Sequence, residues 1–128
     1  MKTVLGLALC ALAVPASAQQ AAVATSGGGH SSMSLTVPIG RTVRFNDAQL
    51  TPIEVLEDSR CPRFVTCVWR GRITVKVAVR GGQPIVLEND KPIPFGKGRL
   101  TLVGASPLSS RGEKIPPRNY RFQIRYDR

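Results

Sequence analysis

Cys61 and Cys67 enclose Pro62-Arg-Phe-Val-Thr66 within the stretch Asp58-Ser-Arg-Cys-Pro-Arg-Phe-Val-Thr-Cys-Val-Trp-Arg-Gly71. Such a pair could exchange redox equivalents, ligate a metal or close a structural disulfide. Redox exchange is favoured by Cys-x-x-Cys at a helix N-terminus, where the thiol pKa falls, and this spacing is wider. Metal ligation needs convergent partners, but His30 is the only histidine and follows Gly27-Gly28-Gly29. A Cys61–Cys67 disulfide is therefore the expectation. It would stabilise so short a loop by about 2–3 kcal/mol in the loop-entropy picture.

The acidic residues are Asp47, Glu54, Glu57, Asp58, Glu88, Asp90, Glu113 and Asp127. None follows the dense oxygen-ligand spacing of a calcium loop. Glycoside chemistry wants two carboxylates facing one another across a cleft, whereas Glu57 and Asp58 are adjacent and would point to opposite faces of a strand. Gly-x-Ser-x-Gly is absent. The chain reads as a non-enzyme, with no catalytic set, no metal site and no cofactor.

Three residues of the central stretch carry two readings each. Asp58 and Arg60 could form a recognition pair displayed by the disulfide loop, or Asp58 could accept backbone hydrogen bonds in a turn while Arg60 pairs with it. Arg63, presented by a short covalently closed loop, could act as a rigid substrate mimic in a trypsin-like protease, since preorganisation tightens binding. Alternatively, Phe64 and Val65 could tuck into the core and leave Arg63 as ordinary surface.

The elements that must position these residues are strands. Trp69, Gly71, Ile73, Val75, Val77 and Val79 alternate with Arg70, Arg72, Thr74, Lys76, Ala78 and Arg80, which is the period of a half-buried strand. Cys67 shares the valine parity, so its sulfur is expected inside, with Trp69 beside it as a core anchor.

Upstream, Leu35, Val37 and Ile39 form a strand that Pro38 demotes to an edge. Val43 and Phe45 form another, followed by an Asn46-Asp47 turn. Leu50–Glu57 is a third, with Ile53 and Val55 on one side and a bulge near Thr51-Pro52. Downstream, Gly81-Gly82 marks a tight hairpin into Ile85 and Leu87. Ile93-Pro94-Phe95 is short and irregular. Leu100 and Leu102 alternate with Thr101 and Val103, and Tyr120, Phe122, Ile124 and Tyr126 alternate with Arg121, Gln123 and Arg125. The connection 104–119 is rich in Ser, Pro and Gly and reads either as a mobile functional loop or as decoration. No segment holds a helical period beyond residue 18. The expectation is all-β: an antiparallel β-sandwich of immunoglobulin-like or related topology, with seven or eight short strands and one disulfide.

Residues 1–18 read as a secretory signal peptide. Lys2 is the n-region, Val4–Val14 the apolar h-region and Ala16-Ser17-Ala18 the cleavage site. A lipid-anchored alternative at Cys10 fails because Leu9 precedes it. The expected organisation is signal peptide 1–18, flexible leader 19–34 and a single domain 35–128, secreted or periplasmic and disulfide-permissive. No stretch has the roughly 20 apolar residues of a spanning helix.

The formal charge is +10, or +9 without Lys2. Arg70, Arg72, Lys76 and Arg80 share one parity of the central strand, and Arg121 and Arg125 one parity of the last. If both strands lie in one sheet, they form a basic face suited to an anionic envelope component or an acidic protein. Nucleic acid is disfavoured because stacking aromatics are wanted on the same face, and Tyr120, Phe122 and Tyr126 fall on the other. The leading expectation is a small non-enzymatic binding or envelope-associated protein. The alternative is an inhibitor of a secreted hydrolase acting through the Cys61–Cys67 loop or the 104–119 loop.

Glu57-Asp-Ser-Arg-Cys-Pro62, Val65-Thr-Cys-Val-Trp69 and Gly71, with the valine-rich strand and the closing Tyr120-Arg-Phe-Gln-Ile-Arg125, resemble a group of small secreted or lipid-anchored bacterial proteins. That group carries an Asp-Ser-Arg-Cys-Pro…Cys-x-Trp-x-Gly signature. The resemblance spans roughly Leu35 to Tyr126 and implies secretion, a disulfide and an all-β domain. It implies no activity. Arg70 stands where a small residue is expected.

Overall fold

The computed structural model describes residues 29–110 and 113–128. The expected signal peptide and most of the expected leader lie outside the described residues. Eight strands form in chain order: β1 (Ser32–Pro38), β2 (Val43–Phe45), β3 (Ala48–Asp58), β4 (Ile73–Val79), β5 (Ile85–Glu88), β6 (Ile93–Phe95), β7 (Gly98–Ser106) and β8 (Arg121–Asp127). They build two antiparallel four-stranded sheets, ordered β1-β8-β7-β6 and β2-β3-β4-β5. The expected all-β sandwich is the observed architecture.

Each sheet is mostly a meander of strands that pair with their sequence neighbours: short turns join β2 to β3, β4 to β5 and β6 to β7, while residues 59–72 join β3 to β4 and residues 107–120 join β7 to β8. The exception is β1, which pairs with β8 from Ser32↔Asp127 to Pro38↔Arg121. Strand β1 therefore starts at Ser32, three residues ahead of the expected Leu35. Its first residues are held by the β8 ladder, whereas the sequence reading looked for an apolar stripe. Among them Met33 packs partly against the core.

The core lies between the sheets. Val37, Phe45, Leu50, Ile73, Val75, Val77, Leu87, Leu100, Leu102, Phe122 and Ile124 are fully or almost fully buried, with Tyr120 and Tyr126 at their margins. Burial at about 25 cal/mol per Å² of apolar surface drives this layer. The rings of Tyr120 and Phe122 stack at a centroid distance of 5.9 Å.

Two local expectations need correction. Strand β3 shifts register at the expected place, between Pro52 and Glu54, and again between Val55 and Glu57, but Pro52 takes the buried position while Ile53, expected on the side of Val55, turns out to 45% exposure. An extra residue flips side-chain parity downstream. The glycine hairpin is wider than a two-residue turn: Gly81 takes φ 75°, and β5 begins only at Ile85.

Candidate functional site

The end of the sandwich that holds the disulfide is organised by Asp58 and Arg60. Asp58 closes β3, and Ser59 N–H donates to the Arg72 carbonyl at 2.8 Å. The chain then turns outward. Arg60 Nε and Nη2 donate to the two Asp58 carboxylate oxygens at 2.8 Å each. This is the bidentate fork that the planar guanidinium favours. Arg60 Nη1 also donates to the Ala105 carbonyl, and Nη2 to the Pro107 carbonyl at 2.9 Å. One guanidinium thus bridges the end of β3 in one sheet to the end of β7 in the other.

Tyr120, directly before β8, completes the junction, its hydroxyl donating to Asp58 Oδ2 at 2.8 Å. Burial pushes the Asp58 carboxyl up, but hydrogen bonds from Arg60 and Tyr120 and the adjacent guanidinium charge outweigh it and hold the pKa below its ordinary value. Burial, followed by the hydrogen bond to Asp58 and its charge, pushes the Tyr120 phenol up to about 12. Of the two readings of Asp58 and Arg60, the geometry selects the paired one. Their side chains are only 16% and 12% exposed.

Above this clamp, Cys61 and Cys67 are bonded, as expected. The loop does not continue into β4. Gly71 takes φ 68°, a left-handed conformation that glycine alone enters freely. A Cβ there would sit 1.9 Å from the Ser59 carbonyl oxygen. This kink ends the alternation, so the inward parity of Ile73, Val75 and Val77 does not reach residues 67 and 69.

Trp69 is consequently 69% exposed rather than a core anchor, and Cys67 lies at the surface rather than inside. Phe64 and Val68 are bare, at 102% and 104%, and Phe64 itself has φ 61°. The loop is fastened to the long connection by the Arg63 N–H, which donates to the Ser109 carbonyl at 2.9 Å. Arg63 and Arg70 are exposed beside the three apolar side chains. Among the described residues neither makes an ion pair.

The expected single basic face does not form, because β4 and β8 belong to different sheets. Lys76 stands on one sheet in register with Glu54. Arg121 and Arg125 stand on the other, where Arg125 pairs with Asp127 at 2.9 Å and Arg121 Nη1 reaches the Asn119 carbonyl at 3.4 Å. Arg72 pairs with Glu57 at 2.8 Å, and Arg80 donates to the Gln49 side chain at 3.0 Å. Arg70 precedes β4 and belongs to the disulfide loop.

A groove of about 420 Å³ runs beneath the loop, lined by Arg60, Arg70, Asp90, Val103 and Leu108 among others. A larger cleft of about 510 Å³ opens at the far end, between the β2–β3 and β6–β7 turns, with Phe45, Phe95, Tyr126, Lys97 and Arg128 in its walls. Among the described residues no three of His, Cys, Asp and Glu gather as a metal site, and no helix is long and apolar enough to cross a membrane. His30 is exposed. The sequence singled out the disulfide loop but missed its apolar tip. The signal was Gly71, whose glycine between two arginines interrupts the strand pattern.

No protein-family model matches this chain, and no curated protein or solved structure matches it.

Proposed function

We propose that this protein is a small non-enzymatic binding or envelope-associated protein of the extracytoplasmic space. Its binding element is the disulfide-closed loop, and its partner is anionic. The observation that carries the reading is the set of bare side chains Phe64, inside the Cys61–Cys67 ring, and Val68 and Trp69, directly after it, flanked by Arg63 and Arg70. Large exposed apolar groups gathered on one element mark interaction sites more often than scattered ones do. The disulfide and the Arg60 clamp hold the loop before binding, which lowers the ordering cost of association. The basic residues of the two sheets are divided between separate faces, with Arg125 paired to Asp127 and Arg80 bonded to Gln49, and they add only diffuse attraction.

The test is capture of envelope and medium components by the protein at low and high salt, with a Phe64→Ser/Trp69→Ser variant in parallel. Capture that weakens with salt and is lost in the variant supports the reading. Capture that the variant retains in full removes the loop from the function.

A second reading, inhibition of a secreted hydrolase, is favoured by the Arg63–Ser109 backbone bond, which joins the disulfide loop and the long connection into one edge. It requires stoichiometric inhibition that disappears with Arg63→Ala.

A further inference from the structure

We infer that the anionic partner of the disulfide loop is the surface of a lipid bilayer. In this arrangement Phe64, Val68 and Trp69 enter the boundary between headgroups and acyl chains while Arg63 and Arg70 rest at phosphate level. The inference deepens the proposed function and rests on it.

Three observations converge. The first is exposure: at 102% and 104%, Phe64 and Val68 touch almost nothing of their own protein, so the loop offers a projecting apolar tip. The second is chemistry. A tryptophan has an apolar body and one N–H donor, which is why indoles concentrate where hydrocarbon meets water. Surface-bound proteins combine such apolar groups with arginines or lysines against anionic lipid.

The third is charge. No acidic residue lies between Asp58 and Glu88, while Arg60, Arg63, Arg70, Arg72, Lys76 and Arg80 do. Arg60 and Arg72 are neutralised by Asp58 and Glu57, which leaves Arg63 and Arg70 beside the tip as charges without an ionic partner among the described residues. Two acids lie nearby, Asp90 in the groove that Arg70 also lines and Glu113 in a cavity wall shared with Arg63 and Lys114, and among the described residues neither forms an ion pair with Arg63 or Arg70. Apolar tip and unmatched positive rim together fit a surface that is negative outside and apolar just beneath. A protein pocket would have to supply both features in one place.

The disulfide gives the tip its shape. The Cys61–Cys67 bond closes the ring that carries Phe64 and anchors the start of Val68-Trp69, the clamp at Arg60 ties the incoming flank to the sandwich, and Gly71 turns the outgoing flank close against Ser59.

The chain contains one tryptophan, so its emission reports on the tip directly. The experiment mixes the disulfide-bonded protein with unilamellar vesicles of phosphatidylglycerol and phosphatidylcholine, or of phosphatidylcholine alone, at low salt. Trp69 emission, its accessibility to an aqueous quencher and vesicle co-sedimentation are recorded. The expected result is a blue shift, protection from quencher and co-sedimentation with the anionic vesicles. Binding should weaken about fivefold for each of Arg63→Gln and Arg70→Gln. It should be lost with Phe64→Ser/Val68→Ser, a variant whose exposed positions leave folding intact and whose melting confirms it. Co-sedimentation without any change at Trp69 overturns insertion and leaves mere charge adsorption. Absence of vesicle binding, with an envelope protein still captured through Trp69, overturns the lipid assignment and leaves the proposed function standing. Absence of both overturns the two together.

Discussion

The Tyr120 hydroxyl lies 2.8 Å from Asp58 Oδ2, a bond that crosses from the strand end of one sheet to the approach of a strand in the other. Tyr120 leads directly into β8, and Asp58 is the last residue of β3. Their bond, with the Arg60 fork, fastens the two layers at the end that carries the loop.

Removing that hydroxyl tests the junction. Tyr120→Phe should lower stability by about 1.5–3 kcal/mol, the range for a hydrogen bond to a charged group, measured by urea denaturation at neutral pH. The pH dependence follows from the signs of the shifts. Asp58 has a lowered folded pKa, so its contribution is complete above the unfolded carboxylate range and is lost as pH falls through the folded value. Tyr120 has a raised folded pKa, about 12 against 10.0, so its contribution is complete below pH 10.0 and is lost as pH rises toward 12. Tyr120→Phe should flatten the alkaline fall. An unchanged alkaline limb would separate Tyr120 from it.

Arg60 is the more demanding position. Arg60→Ala should cost about 3 kcal/mol, since it leaves Asp58 without its counter-charge and two carbonyls without donors. Arg60→Lys should recover only a minor part, because an ammonium cannot hold a carboxylate in a fork while reaching the Ala105 and Pro107 carbonyls. Equal melting of Arg60→Lys and the parent protein would show that charge alone suffices.

Gly71 and Gly40 form a matched pair. Both have positive φ, 68° and 78°, but a Cβ at Gly71 would strike the Ser59 backbone, while one at Gly40 would meet nothing within 4 Å. Gly40→Ala should cost about 1 kcal/mol from backbone strain. Gly71→Ala should cost more than about 2 kcal/mol and should speed tryptic cleavage after Arg63 or Arg70. Equal costs would mean that the Ser59 contact yields easily.

Trp69 contrasts with Ile73, four residues on. Trp69→Ala should change stability by less than about 0.5 kcal/mol because the indole is exposed. Ile73→Ala should cost about 2–5 kcal/mol because it opens a cavity in the core. The native emission of Trp69 should resemble that of a solvated indole and shift little on unfolding. A large red shift on unfolding would place the ring against the protein.

The sequence by itself determined the strands, the disulfide pairing and most of the core. Alternation at Ile73-Val75-Val77 and at Phe122-Ile124-Tyr126 is a local record of which side chains must leave water. A pair of cysteines so close in the chain leaves little choice of bond. The tertiary structure decided what alternation cannot express. Which sheet receives β8 depends on the pairing of β1 with β8 across nearly the whole domain, and that pairing separates Arg121 and Arg125 from Lys76. Where parity ends depends on Gly71, whose left-handed turn is imposed by the close approach of Ser59. That turn moves Trp69 from the expected core to the solvent. Periodicity carries information only along an unbroken extended backbone, and both corrections arise where the chain bends or meets a distant partner.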